Sequence, residues 1–219
     1  MSTATLPSWR SALAVVAHPD DESFALGAVI TALVEAGTAV SVLCLTRGEA
    51  STLGAVADLS AVRALELARA AEALGVTGVE LHEHPDGALA RVPLDVLAGE
   101  VAAAAQEVDA DGVLVFDPSG VTGHADHARA TEAALAAASD VGLPVLGWTI
   151  PAAVATTLNE EFGAAFDGHE AAEVDVVVRV DRTRQLEAVH CHSTQAVPSS
   201  VLWRRLELLG VHEHLRLLR

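Results

Sequence analysis

A doubly wound, mostly parallel α/β sheet with helices on both faces is the fold the sequence predicts, and three observations predict it. Short apolar runs alternate with longer amphipathic segments along the first 150 residues. The runs are continuously apolar rather than alternating, as strands covered on both faces are. Loops rich in His, Asp and Glu follow the first four runs, at the carboxyl edge where an open α/β sheet collects its ligand groups.

Each element can be justified in order. "SALAVVA" (11–17) reads as strand 1, and "SFALGAVITALVEAG" (23–37) as a helix stopped by Gly37. "AVSVLCLT" (39–46) is strand 2, with Cys44 a small core residue. "SAVRALELARAAEALG" (60–75) is a helix capped by Ser60 and ended by Gly75. "GVELHEH" (78–84) is strand 3. "VPLDVLAGEVAAAAQEV" (92–108) is a helix with Pro93 in its first turn. "GVLVFD" (112–117), "HADHARATEAALAAAS" (124–139) and "LPVLGWTI" (143–150) give strand 4, a helix and strand 5. "EVDVVVRV" (173–180) is a sixth strand; "TRQLEAVHCHSTQ" and "SVLWRRLELLG" are terminal helices. The stretch 156–173 is the least structured and is expected to border the site as a flap, while His212 and His214 fall in a surface tail. Repeated strand–helix–strand order implies right-handed crossovers, and residues 1–219 read as one domain.

Composition narrows the function classes. The chain has 219 residues and a net charge of −17, with every basic residue an arginine. No basic stripe is present, so nucleic-acid backbone binding is not expected. No apolar run approaches the ~20 residues of a membrane span. No basic segment followed by an apolar one opens the chain, so a cytoplasmic location is expected. Cys44 and Cys191 are not spaced as a redox or zinc-finger pair. No G-x-G-x-x-G follows strand 1, which argues against a dinucleotide-binding dehydrogenase. The sequence leaves open a homo-oligomer.

Four polar loops then leave one sheet edge: "AHPDDE" (17–22), "TRGEAS" (46–51), "HEHPDG" (82–87) and "DPSGVTGHADH" (117–127). In strand order 3-2-1-4-5 the crevice lies between strands 1 and 4, so His18, Asp20 and Asp21 face His124 and His127. Two imidazoles and a carboxylate suit Zn²⁺, and a cation relieves repulsion among the acids. Helix capping by Asp20 or Asp21, with Glu22 at the helix dipole, would explain the first loop alone. The G-H-x-D-H segment could likewise be a capped helix start, but two such loops after strands on the same edge make capping alone the weaker account.

Elsewhere, His84 is weighed as a substrate contact and His82 and His84 as loop lining. His192 is weighed as a site residue. Arg47 and Glu49 are weighed as an ion pair or substrate contacts, and Trp148 and Trp203 as packing.

At these motifs the chain resembles the PIG-L/LmbE-like zinc-dependent N-deacetylases, which include the GlcNAc-phosphatidylinositol de-N-acetylases and the mycothiol and bacillithiol deacetylases. "RALELARAAEALGV" (63–76), "HPDG" (84–87), "GHADH" (123–127) and "RQLEAVHCHSTQ" (184–195) extend the likeness over most of the chain. The resemblance implies metal ligands His18, Asp21 and His127, holding Zn²⁺ or Fe²⁺. It implies Asp20 as general base and His124 as oxyanion stabiliser or acid. It further implies Asp126 as a carboxylate that orients a histidine, and Arg63 and Asp86 as substrate-binding residues. The implied activity is hydrolysis of the N-acetyl group of a small, sugar-like molecule. An amidase acting on a larger acyl group or thiol conjugate, and a non-catalytic binding protein, are the alternatives. Two departures stand out: Ala125 replaces a common proline, and the chain has no tyrosine, although some members place one near the oxyanion.

Overall fold

The computed structural model describes residues 5–54 and 56–219. Strand β1 (Ser11–Val16) leads through two short helices, α1 (Asp21–Phe24) and α2 (Gly27–Glu35), to β2 (Ala39–Thr46). Helix α3 (Leu59–Leu74) precedes β3 (Gly78–His84), and α4 (Leu94–Glu107) precedes β4 (Gly112–Phe116). Then come α5 (Ala125–Val141), β5 (Val145–Thr149), α6 (Ala152–Phe162), β6 (Val176–Arg179), α7 (Thr183–Cys191), α8 (Val201–Leu209) and β7 (His212–Leu217). The sheet runs β3-β2-β1-β4-β5-β7-β6, parallel from β3 to β5 and antiparallel at β7. The expected doubly wound order is present, with its reversal between β1 and β4.

Continuous apolar runs pack on both faces because successive strand side chains point opposite ways. Ala12, Ala14 and Val16 of β1 join Ile30 and Leu33 of α2 and Leu67 and Leu74 of α3 on one face. Leu13 and Val15 join Leu97 and Val101 of α4 and Ala134 of α5 on the other. Each such large aliphatic side chain contributes roughly 1.5–3 kcal/mol by leaving water. Among the described residues no helix is long and apolar enough to cross a membrane.

Four expectations need correction. The helix predicted over 23–37 is broken at Ala25 and Leu26. Gln185 of α7 sits against the break and donates from Nε2 to the Ser23 carbonyl at 3.0 Å, satisfying a group the break releases. Asp58, not Ser60, caps α3, accepting from the Ala61 N–H at 3.3 Å. The expected surface tail holds strand β7 (His212–Leu217), inserted between β5 and β6. Finally, 152–162 is helical, so only the segment after it has flap character.

Candidate active site

The loop after β1 turns sharply at Asp20. Its φ of 139° lies in a region that side chains rarely adopt, a conformation that persists only where the surroundings hold it. Three contacts hold it. The Asp20 N–H donates to Glu22 Oε2 at 2.9 Å, its carbonyl accepts from the Phe24 N–H at 2.7 Å, and its carboxylate faces Arg63. The carboxylate makes no capping bond at α1, so the capping explanation of this loop fails for Asp20. Glu22 is fully buried and its other oxygen meets His192 Nε2 at 2.7 Å, so it braces the loop from inside.

Asp21, the first residue of α1, points back over the end of β1. Its Oδ2 accepts the His18 N–H at 2.9 Å. The loop after β4 brings His127, near the start of α5, across the cleft. His18 Nδ1 lies 3.2 Å from His127 Nε2 and 3.3 Å from Asp21 Oδ2, and His127 Nε2 lies 3.1 Å from Asp21 Oδ1. Two donors ~2.0–2.1 Å from one tetrahedral zinc ion stand ~3.3 Å apart, so this triangle has the size a single ion requires. The second ring nitrogen of His127 is engaged elsewhere. His127 Nδ1 meets Thr122 Oγ1 at 2.8 Å and the Gly120 carbonyl at 3.3 Å, which turns the Nε2 lone pair into the cleft.

His18 has a second set of neighbours. Its Nε2 stands 3.1 Å from Asp86 Oδ1 and 3.5 Å from Asp126 Oδ2. Those carboxylates are already anchored by backbone N–H groups, Asp86 by Ala50 at 2.8 Å and Asp126 by Gly87 at 2.8 Å and Leu89 at 3.0 Å. His18 Nε2 itself makes no well-formed hydrogen bond, and His18, Asp86 and Asp126 form a second group of donors close enough to share an ion. Burial disfavours charge on His18, but the carboxylates of Asp126, Asp21 and Asp86 outweigh it, and its pKa stands well above 6.5. Burial would raise the Asp21 carboxyl, yet His127 and His18 hold it well below the usual range. The cluster is built around positive charge.

Asp20 and His124 flank this triangle. Burial pushes the Asp20 carboxyl up to about 6, against the pull of Arg63. His124 occupies the N-cap of α5, where its Nδ1 accepts the Asp126 N–H at 3.2 Å. A neutral His124 must then carry its proton on Nε2, as a donor. Burial and the nearby His18 and His127 lower its pKa, which favours that neutral form.

All eight sequence-predicted residues meet around one cavity of about 740 Å³ or directly behind it. Arg63 lines the cavity and also reaches Asp20. It is 3% exposed, pairs with Asp20 Oδ2 at 3.0 Å and donates to the Gly48 carbonyl at 2.7 Å. Gly48 has φ 66°, and a Cβ there would strike the guanidinium, so glycine is what lets Arg63 reach Asp20. Arg47 pairs with Glu83 at 2.7 Å rather than with Glu49, which instead accepts the Asp86 N–H at 2.9 Å. His82 and His84 lie on β3 itself and do not line the cavity. Sequence reasoning missed Thr122, which no spacing signal marked; it weighed His192 as a site residue but not its pairing with Glu22. It also missed the apolar wall, in which Phe24, Leu53, Phe116, Phe166 and Leu202 face the polar cluster.

Comparison with known proteins identifies the family. Residues 13–138 match the family described as PIG-L: GlcNAc-PI de-N-acetylase. A 1D-myo-inositol 2-acetamido-2-deoxy-alpha-D-glucopyranoside deacetylase of Kineococcus radiotolerans is 34% identical over 184 residues, covering 67% of this chain and 50% of the relative. The Salinispora arenicola protein of that name is 30% identical, covering 91% of this chain and 80% of the relative. This chain thus spans only half the length of the Kineococcus relative. Among solved structures, the A40926 pseudoaglycone deacetylase superposes with a TM-score of 0.73 at 20% identity, covering 94% of this chain and 96% of that one. The 4-carboxy-2-hydroxymuconate hydratase of Pseudomonas putida superposes with a TM-score of 0.67 at 22% identity, covering 96% of each chain. Deacetylase and hydratase share the sheet, so the fold alone does not choose the chemistry. The sequence match, which spans more than half of the chain and both metal-type loops, does choose the family: this chain belongs to the GlcNAc-PI de-N-acetylase (PIG-L) family.

Proposed function

We propose that this chain is a metal-dependent hydrolase that removes the acetyl group from the amide nitrogen of a small, sugar-like substrate. The observation that carries the reading is the triangle of His18 Nδ1, Asp21 and His127 Nε2, with sides of 3.1 to 3.3 Å and Asp20 beside it. The printed names of the relatives, deacetylases of an acetamido sugar, support the substrate class.

His18, Asp21 and His127 would hold Zn²⁺ or Fe²⁺. Such a cation supplies Lewis acidity, lowering the pKa of water and polarising the amide carbonyl. Asp20, kept in place by Arg63 and by its own strained backbone, accepts the proton from the attacking water. His124 Nε2–H donates to the oxygen that gains charge in the tetrahedral transition state, and no tyrosine is needed for that bond. The proton then returns to the nitrogen as the bond to carbon breaks, giving acetate and a free amine. Asp86 and Asp126 present their carboxylates to the far side of the His18 ring. The apolar wall lowers the polarity on one side of the cleft, which strengthens these interactions.

The test is Asp20→Asn alongside Asp21→Ala, scored by bound metal and by amine release from N-acetylated amino sugars. Asp20→Asn keeps the metal and loses about 10²–10⁴-fold in turnover, as removal of a general base does. Asp21→Ala loses the metal. Undiminished turnover by Asp20→Asn overturns the base assignment.

The apolar wall also favours a second reading, an amidase whose substrate carries a larger acyl group or a hydrophobic conjugate. Phe24, Leu53 and Phe166 offer no hydrogen bonds to sugar hydroxyls. A panel running from acetyl to longer acyl amides separates the two by kcat/KM.

A further inference from the structure

Strand β3 and helix α4 assemble a second group of metal-type donors, away from the cavity. His82 and His84 are two residues apart on β3, so both project from one face of the sheet. Glu100 of α4 reaches over them. Its Oε2 lies 3.0 Å from His82 Nδ1 and 2.7 Å from His84 Nε2. One ligand atom from each of the three residues stands within 4.8 Å of the others. The three side chains are 19%, 18% and 29% exposed, open enough for an ion to enter and covered enough to be held.

We propose that His82, His84 and Glu100 form a second site for a divalent transition metal of the zinc type, which ties the edge strand β3 to α4. Two imidazoles and a carboxylate, with positions left for water, are a donor set that zinc accepts. The far side of His82 supports the assignment. Its Nε2 meets Glu80 Oε1 at 2.6 Å, so a carboxylate orients the ring and leaves Nδ1 to ligate. Without a cation, a single oxygen of Glu100 serves two imidazoles at once. With one, both imidazole lone pairs and the carboxylate gain a common partner. The acidic surroundings, Glu80 and Glu100 within a chain of net charge −17, draw a cation rather than an anion.

The tie has something to stabilise. β3 is the outermost strand, and none of its residues is buried. It also runs directly into the loop that carries Asp86 to His18, so the second site anchors the strand that delivers a catalytic-site carboxylate.

The experiment strips the full chain with chelator, reloads it with Zn²⁺ alone, and counts metal per chain by mass spectrometry. The parent is expected to hold one equivalent more than either His82→Ala/His84→Ala or Asp21→Ala, and the combined variant none. In the Asp21→Ala background, where the catalytic triangle is broken, zinc is expected to raise Tm. Glu100→Gln, which preserves volume, is expected to weaken this binding about 10- to 100-fold with an unchanged circular dichroism spectrum. The proposal is overturned if Asp21→Ala holds no zinc, or if His82→Ala/His84→Ala holds as much as the parent. It is equally overturned if Glu100→Gln binds as tightly as its background. None of these outcomes depends on amide hydrolysis, so failure of the enzymatic reading stays separate.

Discussion

Arg63 holds Asp20: the guanidinium Nη2 stands 3.0 Å from the carboxylate Oδ2, and both groups are largely shielded from water. A second bond, from Nη2 to the Pro19 carbonyl at 2.5 Å, ties the arginine to the same loop. Arg63 lines the cavity, as a substrate-binding residue would, and is also placed to position Asp20.

Arg63→Met should therefore lower kcat by about 10²-fold while KM changes little, because positioning acts on the transition state. Arg63→Lys should recover only part of the loss, since an ammonium cannot reproduce the forked contact. The check is a double-mutant cycle with Asp20→Asn: the two losses should fail to add. A rise in KM alone would return Arg63 to substrate binding.

Thr122 holds the Nδ1 side of His127 at 2.8 Å. Thr122→Val preserves shape and removes that bond. Metal affinity should fall about 10- to 100-fold, the usual effect of losing a ligand's orienting partner. Competition with a chromophoric chelator measures it, and unchanged affinity would show that the Gly120 carbonyl suffices.

Metal uptake should release a proton from His18. The folded chain raises that pKa well above 6.5, because Asp126, Asp21 and Asp86 outweigh the opposing effect of burial. Below the raised value the proton occupies the ligand, so metal affinity should fall as pH drops and level off above it. Calorimetry of zinc binding in buffers of different ionisation enthalpy counts the protons released. No release at neutral pH would mean His18 is already neutral there.

Trp148 is fully buried and donates from Nε1 to Glu213 Oε2 at 2.7 Å. Trp148→Ala should cost about 3–5 kcal/mol from the cavity, and more because Glu213 loses a partner in the interior. Urea denaturation compared with Trp148→Phe separates the two effects, since Phe fills much of the volume without the donor.

Trp148 and Glu213 also show where reading the chain fell short. In "HEHLRL" the inward positions include Glu213, so the strand looked like polar tail. Only its partners, Trp148 and Arg182, make that inward carboxylate tolerable, and they come from distant elements. The break between α1 and α2 was hidden for the same reason. Nothing local forces it, and Gln185 supports it from far along the chain.

The sequence by itself determined the parallel order of the sheet and which loops share its carboxyl edge. Apolar runs, caps and glycine stops are local signals, and right-handed crossovers turn their order into topology. It also placed His18, Asp21 and His127 on the two loops that flank the reversal point. The tertiary structure alone decided that Arg63 turns to Asp20, that Glu22 is braced by His192, and that an apolar wall lines the cleft. Those choices depend on which partner can satisfy a buried polar group, and such partners are set by packing between residues that no spacing rule connects.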